Sequence, residues 1–424
     1  MEAAALVGRD GAVDWLCLPR FDSPSCFSAL LGDERHGRWR LAPAGDVHAS
    51  SRRYRPGTLV LESDFETAEG AVRVIDFMPR RGDGPPRLMR VVEGLRGRVP
   101  MRMELSLRPD YASIVPWVES APDGVIATAG PDAFRLSTVL PLEIEDGTVR
   151  ADFFAVEGAR QRLSLTWHLS YEESPPVEDA DSALARTEAW WREWSGRCAY
   201  QGRYRDEVLT SLIAIKAMTS ETTGAVIAAP TTSLPEDIGG ERNWDYRYCW
   251  LRDSVLALEA LLAAGYTEEA LAFRDFLLRV GTGDPTKIQI MYGIRGERRL
   301  TEFELEELPG YERSRPVRIG NAASEQFQLD VYGEVLGVGF LGTKVVGRIE
   351  KELWPRWRTI VDYVETIWRQ PDDGIWESRG PRRHYTYSKV MAWVVFDRAV
   401  RLAEQFELEA PLDRWKETRD EIHQ

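Results

Sequence analysis

Between two stretches of helical periodicity lies Asp372-Asp373-Gly374-Ile375-Trp376-Glu377-Ser378-Arg379-Gly380, where a carboxylate directly follows a tryptophan and two glycines and a proline bracket the segment. A carboxyl group against an apolar aromatic face loses hydration, which penalises its ionised form and raises its pKa. Such a group stays protonated near neutral pH and can hand its proton to a leaving oxygen. On these residues alone, Glu377 is either that acid or a loop carboxylate satisfied by water or an ion pair. A second cluster runs from Tyr246 to Ser254. Arg252 and Asp253 set a planar donor fork beside an acceptor, which together can answer a pair of sugar hydroxyls. Tyr246 and Trp250, four residues apart, can present aromatic surface to one side. The plainer reading is an ion pair capping a helix that begins near Ser254, and both readings stay open. Arg318 and Asn321 precede a further helix, where capping by Asn321 is the simpler account.

Composition narrows the ligand. The net charge is −14, so neither a nucleic-acid backbone nor an anionic membrane is the expected partner. A neutral ligand fits that sign. The four cysteines form no CxxC pair, the five histidines form no HExxH, and no cofactor or metal is implied. The N-terminal stretch meets a charged turn before a signal-like apolar core can form, and no apolar run reaches about 18 residues. The chain therefore reads as cytoplasmic, with reduced thiols. Fifteen tryptophans are many; their flat faces suit sugar rings, although core packing accounts for most.

The elements that must position these residues change character along the chain. Up to residue 178, short alternating runs (58–67, 70–79, 87–95, 101–109, 147–156 and 160–171) are separated by Asp-Gly and Glu-Gly turns. Many strands without intervening helices predict an antiparallel β-sandwich over 1–178. The prolines of 173–179 end it, and a linker helix is expected within 179–200, over 182–198. From 201 to 424 the period is helical: 205–220, 254–265, 268–281 with Thr267 as N-cap, 324–337, about 347–369, 388–406 and 411–424. Two long loops, 231–254 and 288–321, interrupt it. Helices joined by long loops suggest a helical barrel rather than a bundle, and loops of such length are usually functional.

The segments 5–33, 231–254, 316–336, 372–380 and 387–404, in this order, resemble the bacterial glucoamylase-like and trehalase-like proteins of glycoside hydrolase family 15. The resemblance implies an N-terminal β-sandwich, a linker helix and an (α/α)6 barrel with a pocket for one terminal glucose unit. It implies hydrolysis of α-glucosidic bonds with inversion, the substrate being a maltooligosaccharide end or trehalose. Glu377 falls on the general acid, Ile375 on the position whose backbone touches the sugar, and Arg252 and Asp253 on the hydroxyl-binding pair. Tyr246, Trp250 and Trp376 fall on the pocket wall.

Inversion needs a second carboxylate, about 6.5–9.5 Å from the first, to activate water. The family supplies it late in the barrel, which has twelve helices; about seven are countable here. The expectation is therefore an incomplete barrel, a base beyond Gln424, and a chain that alone has little or no activity. A barrel ending there would expose apolar inner-helix faces, to be covered by another partner or by a second copy as a homo-oligomer. The competing reading is a non-catalytic carbohydrate-binding or assembly protein derived from that fold. A related inverting phosphorylase is a third.

Overall fold

A computed structural model of the chain describes all of residues 1–424 except 83, 282 and 350–352. Alternating burial along the N-terminal strands produces two antiparallel sheets. One contains Ala12–Cys17, Arg38–Pro43 and Thr148–Val156; the other contains Leu61–Thr67, Gly70–Phe77, Asp132–Ser137 and Arg160–Leu169. Their inner faces meet in a common core with Val13, Trp39 and Met103 on one side and Val74, Leu136 and Leu165 on the other.

A single 20-residue strand, Arg87–Ser106, belongs to both sheets. Its first half pairs with Gly70–Phe77 and Arg160–Leu169, and its second half with Arg38–Pro43 and Thr148–Val156. The sequence predicts two strands here, 87–95 and 101–109, with a break between them. Glycine resolves the difference. A Cβ at Gly94 would lie 2.1 Å from the Val156 carbonyl, and Gly97 has φ +68, so the strand crosses between sheets without ending.

Helix α1 (Ala180–Gly196) follows, its first turn capped by the Asp179 side chain accepting from the Ser182 N–H. Seven more helices are described: α2 (Arg205–Ala217), α3 (Leu251–Ala263), α4 (Thr267–Val280), α5 (Asp330–Val346), α6 (Trp354–Ile367), α7 (Thr386–Gln405) and α8 (Leu412–His423). Helix α5 touches both α3 and α7, while α4 and α6 pack on its flanks and α8 packs on α7. Leu258, Phe273, Leu336, Val361 and Val395 share one apolar core. This is the alternation of neighbouring and flanking helices that an (α/α) barrel builds from successive hairpins.

Several boundaries differ from those expected. Tyr266, not Thr267, is the N-cap of α4, and no side chain caps it. Helix α5 begins at Asp330 because 322–325 form a separate 3-10 turn. Helix α6 begins at Trp354, and residues 350–352 of the expected span lie outside the described residues. The two long loops carry short antiparallel ribbons, Thr232–Pro235 with Asn243–Asp245 and Phe303–Leu305 with Val317–Ile319. These loops pack on the β domain: Trp15, Leu31 and Tyr111 meet Leu308 and Ile319. The Trp15 Nε1–H donates to the Pro230 carbonyl at 2.8 Å. No described helix is long and apolar enough to cross a membrane.

Candidate active site

The loop that carries Glu377 is tied down before it reaches the carboxyl group. Asp372 and Arg383 exchange backbone hydrogen bonds, both 2.9 Å. Asp372 Oδ2 accepts from the Leu329 N–H at 2.9 Å, and Asp373 Oδ2 from the Phe327 N–H at 2.7 Å. The paired aspartates thus hold the loop against the approach to α5. Gly374 has φ +70, and a Cβ there would lie 2.7 Å from the Tyr385 ring, so the turn favours glycine. Glu377 itself has φ +54, a left-handed conformation that costs a non-glycine residue free energy.

That turn sends neighbouring side chains apart. Trp376 is 84% exposed, so the aromatic beside Glu377 in sequence is not the one beside it in space. The niche expected from Trp376 is supplied by Trp250, which is 2% exposed. The Trp250 Nε1–H donates to Glu377 Oε1 at 2.6 Å, and Arg252 Nη2 lies 4.0 Å from the same oxygen. Burial pushes the Glu377 carboxyl above the usual carboxylate range, while the Trp250 hydrogen bond and the Arg252 charge pull it partly back. An indole N–H can only donate. Oε1 is therefore an acceptor, and the neutral acid carries its proton on Oε2.

Arg252 and Asp253 occupy the first turn of α3, which starts earlier than expected. Arg252 Nε donates to Asp253 Oδ1 at 3.1 Å, and Nη1 donates to the Ile375 carbonyl at 2.9 Å. The fork joins α3 to the Glu377 loop, and Ile375 takes part through its backbone. The Tyr246 and Trp250 rings are 5.5 Å apart, tilted by 46°. Burial, reinforced by Glu377, pushes the Tyr246 hydroxyl up to about 12, so it remains a neutral donor. The structure thus gathers Tyr246, Trp250, Arg252, Asp253, Ile375 and Glu377 at one place, with Trp376 turned outward beside them. Asn321 is a cap: Oδ1 accepts from the Ala323 N–H at 3.0 Å. Arg318 lies instead over Trp244, 4.6 Å from the ring centre.

Two buried carboxyl groups escaped the sequence reading. Asp330 and Glu334 lie one turn apart on α5, both buried. Asp330 lines a small cavity together with Trp250, Arg252 and Gln328. Its Oδ1 has no hydrogen-bond partner among the described residues. Burial pushes Asp330 up to about 6, opposed by Arg252. Glu334 accepts from the Tyr387 hydroxyl at 3.1 Å, and burial, reinforced by Asp330, pushes it up to about 8. The available signal was the i, i+4 spacing of two carboxylates on the apolar face of "LDVYGEVL" (329–336).

The chain as a whole is similar to known proteins. Residues 202–424 match the family described as glycosyl hydrolases family 15, and residues 1–168 match the trehalase-like N-terminal family. A trehalase of Mycolicibacterium smegmatis is 38% identical over 452 residues, covering 99% of this chain and 67% of that protein. A trehalase of Thermoplasma acidophilum is 35% identical over 425 residues, covering 98% of this chain and 72% of that one. The chain thus spans about two thirds of the length of the curated relatives it matches. Among solved structures, one named "Putative kojibiose phosphorylase from human microbiome" aligns with TM-score 0.51 at 9% identity. That alignment covers 91% of this chain and 59% of the other, a likeness of fold alone.

Proposed function

We propose that this chain, which belongs to the glycosyl hydrolases of family 15, supplies Glu377 as the proton donor of an inverting α-glucosidase that takes trehalose and releases glucose. The hydrogen bond from Trp250 to Glu377 Oε1 carries the reading, because it holds a half-buried acid in one orientation with the proton on the opposite oxygen. That proton goes to the glycosidic oxygen as the bond to the anomeric carbon breaks. Asp253 keeps one carboxylate oxygen clear of Arg252 and can accept from a hydroxyl of the terminal glucose, while the guanidinium donates. Tyr246 and Trp250 wall the pocket, and Trp376 stands at its mouth. The names of the relatives favour trehalose over maltooligosaccharides.

Water must attack from the opposite face, activated by a second carboxylate at about 6.5–9.5 Å. Asp253, Asp330 and Glu334 are not assigned that role: the first is tied to Arg252, and the other two are buried on α5, Glu334 against the Tyr387 hydroxyl. The test compares leaving groups. Glu377→Gln should slow trehalose hydrolysis about 10²–10⁴-fold and largely spare α-glucosyl fluoride, whose fluoride departs without a proton. NMR of the first-formed anomer should give β-glucose from the attacked ring. Equal losses on both substrates would refute the assignment of Glu377, and calorimetric binding of trehalose without turnover would favour a binding protein instead.

A further inference from the structure

Arg247 lies at the centre of the Tyr246–Trp250 loop and is 0% exposed. All five of its N–H donors are engaged. Nε and one hydrogen of Nη2 go to Asp245, at 2.9 and 2.7 Å. The other three go to the β domain: Nη1 to the Ser23 carbonyl at 2.9 Å and to Cys17 Sγ at 3.6 Å, Nη2 to the Tyr111 hydroxyl at 2.8 Å. Asp245 in turn accepts from the Gly320 N–H at 3.2 Å, and its backbone carbonyl accepts from Asn321 Nδ2 at 3.2 Å. Both sequence neighbours of Tyr246 are therefore pinned, one by the loop ahead of α5 and the other by the β domain.

We propose that Arg247 is a positioning residue through which Cys17, Ser23 and Tyr111 of the β domain set the Trp250–Glu377 contact, making that domain a working part of the catalytic centre. The proposal rests on the reading of Glu377 as the acid. A rigid guanidinium fork transmits position better than a lysine, because its donors are fixed in one plane. With every donor answered inside the protein, displacing any one acceptor strands a buried N–H and costs more than the bond itself. Attachment of the two domains does not depend on this point alone. Arg80 and Glu221 form an ion pair between them, and the Trp15–Pro230 hydrogen bond forms another link. A contact needed only for attachment could be weakened without touching Trp250.

Tyr111→Phe removes one acceptor and no bulk, with Arg247→Lys as the second variant and Arg80→Ala as the matched interdomain control. Two readouts are followed on the full-length protein: kinetics with trehalose and α-glucosyl fluoride, and the indole N–H resonance of Trp250 in ¹⁵N-tryptophan-labelled protein. Tyr111→Phe should lower kcat for trehalose about tenfold with little change in KM, and spare the fluoride. The basic limb of its pH profile should move up, since the Trp250 hydrogen bond holds the Glu377 pKa down. The indole resonance should shift in Tyr111→Phe and Arg247→Lys and stay in place in Arg80→Ala. An unmoved resonance in both folded loop variants would overturn the proposal whatever the kinetics. A shifted resonance with equal losses on both substrates would instead fault the assignment of Glu377.

Discussion

Asp245 and Asp330 are both withdrawn from water, at 0% and 2% exposure, and each has an arginine in its surroundings. Asp245 shares two hydrogen bonds with Arg247 and takes backbone N–H donors from Arg247 and Gly320. Asp330 lines a cavity with Arg252 but forms no ion pair with it, and one of its oxygens has no hydrogen-bond partner among the described residues. A buried charge is tolerated when fixed donors replace its hydration and is expensive otherwise. The first aspartate is therefore a fastener whose value lies in geometry. The second belongs to a set of carboxyl groups, with Glu334 and Glu377, that burial pushes above the usual carboxylate range.

The sharpest way to break this contrast is Asp245→Asn. It strands the Arg247 charge in the interior, and stability should fall by about 3–5 kcal/mol, read by urea denaturation. A loss under ~1 kcal/mol would place the pair among weak surface bridges and end the comparison. Glu334→Gln should act in the opposite sense. Its folded pKa is raised, so the stability tied to its proton is full below about pH 4.5 and is lost as pH rises through about 8. The variant should match the parent near pH 4 and melt several degrees higher at pH 8 by calorimetry; an unchanged difference across that range would count against a titrating Glu334.

Glu377 stands between the two aspartates, half-buried and steadied by one indole. Trp250→Phe should move the basic limb of kcat/KM upward by up to about one pH unit, and a downward move would contradict the geometry. Asp330→Asn should have the smallest effect on stability, with a slight gain above pH 6 and none below pH 4, because its shift is smaller than that of Glu334.

Legibility followed sequence distance. Strands such as 147–156 and helices such as 388–406 were readable because a repeat of 2 or 3.6 residues is a local record of which face is buried. The 87–106 strand was misread as two, since glycines that normally mark turns serve here to let one strand pass between sheets. At the site, the motifs pointed to Glu377, Arg252 and Asp253, but adjacency suggested Trp376 as the aromatic partner. The left-handed Glu377 backbone reverses that expectation, and a glutamate at φ +54 carries no mark in the sequence. Asp330 and Glu334 went unseen because carboxylates on a helix are ordinarily solvated.

The sequence by itself determined the β-then-α order, the loops that hold the polar groups and the family to which they answer. Only the tertiary structure decided that Trp250 meets a glutamate 127 residues away and that Arg247 reaches a cysteine 230 residues back. Periodicity and turn chemistry record interactions within a few residues of one another. Contacts at those separations depend on how whole elements pack, and no local pattern encodes them.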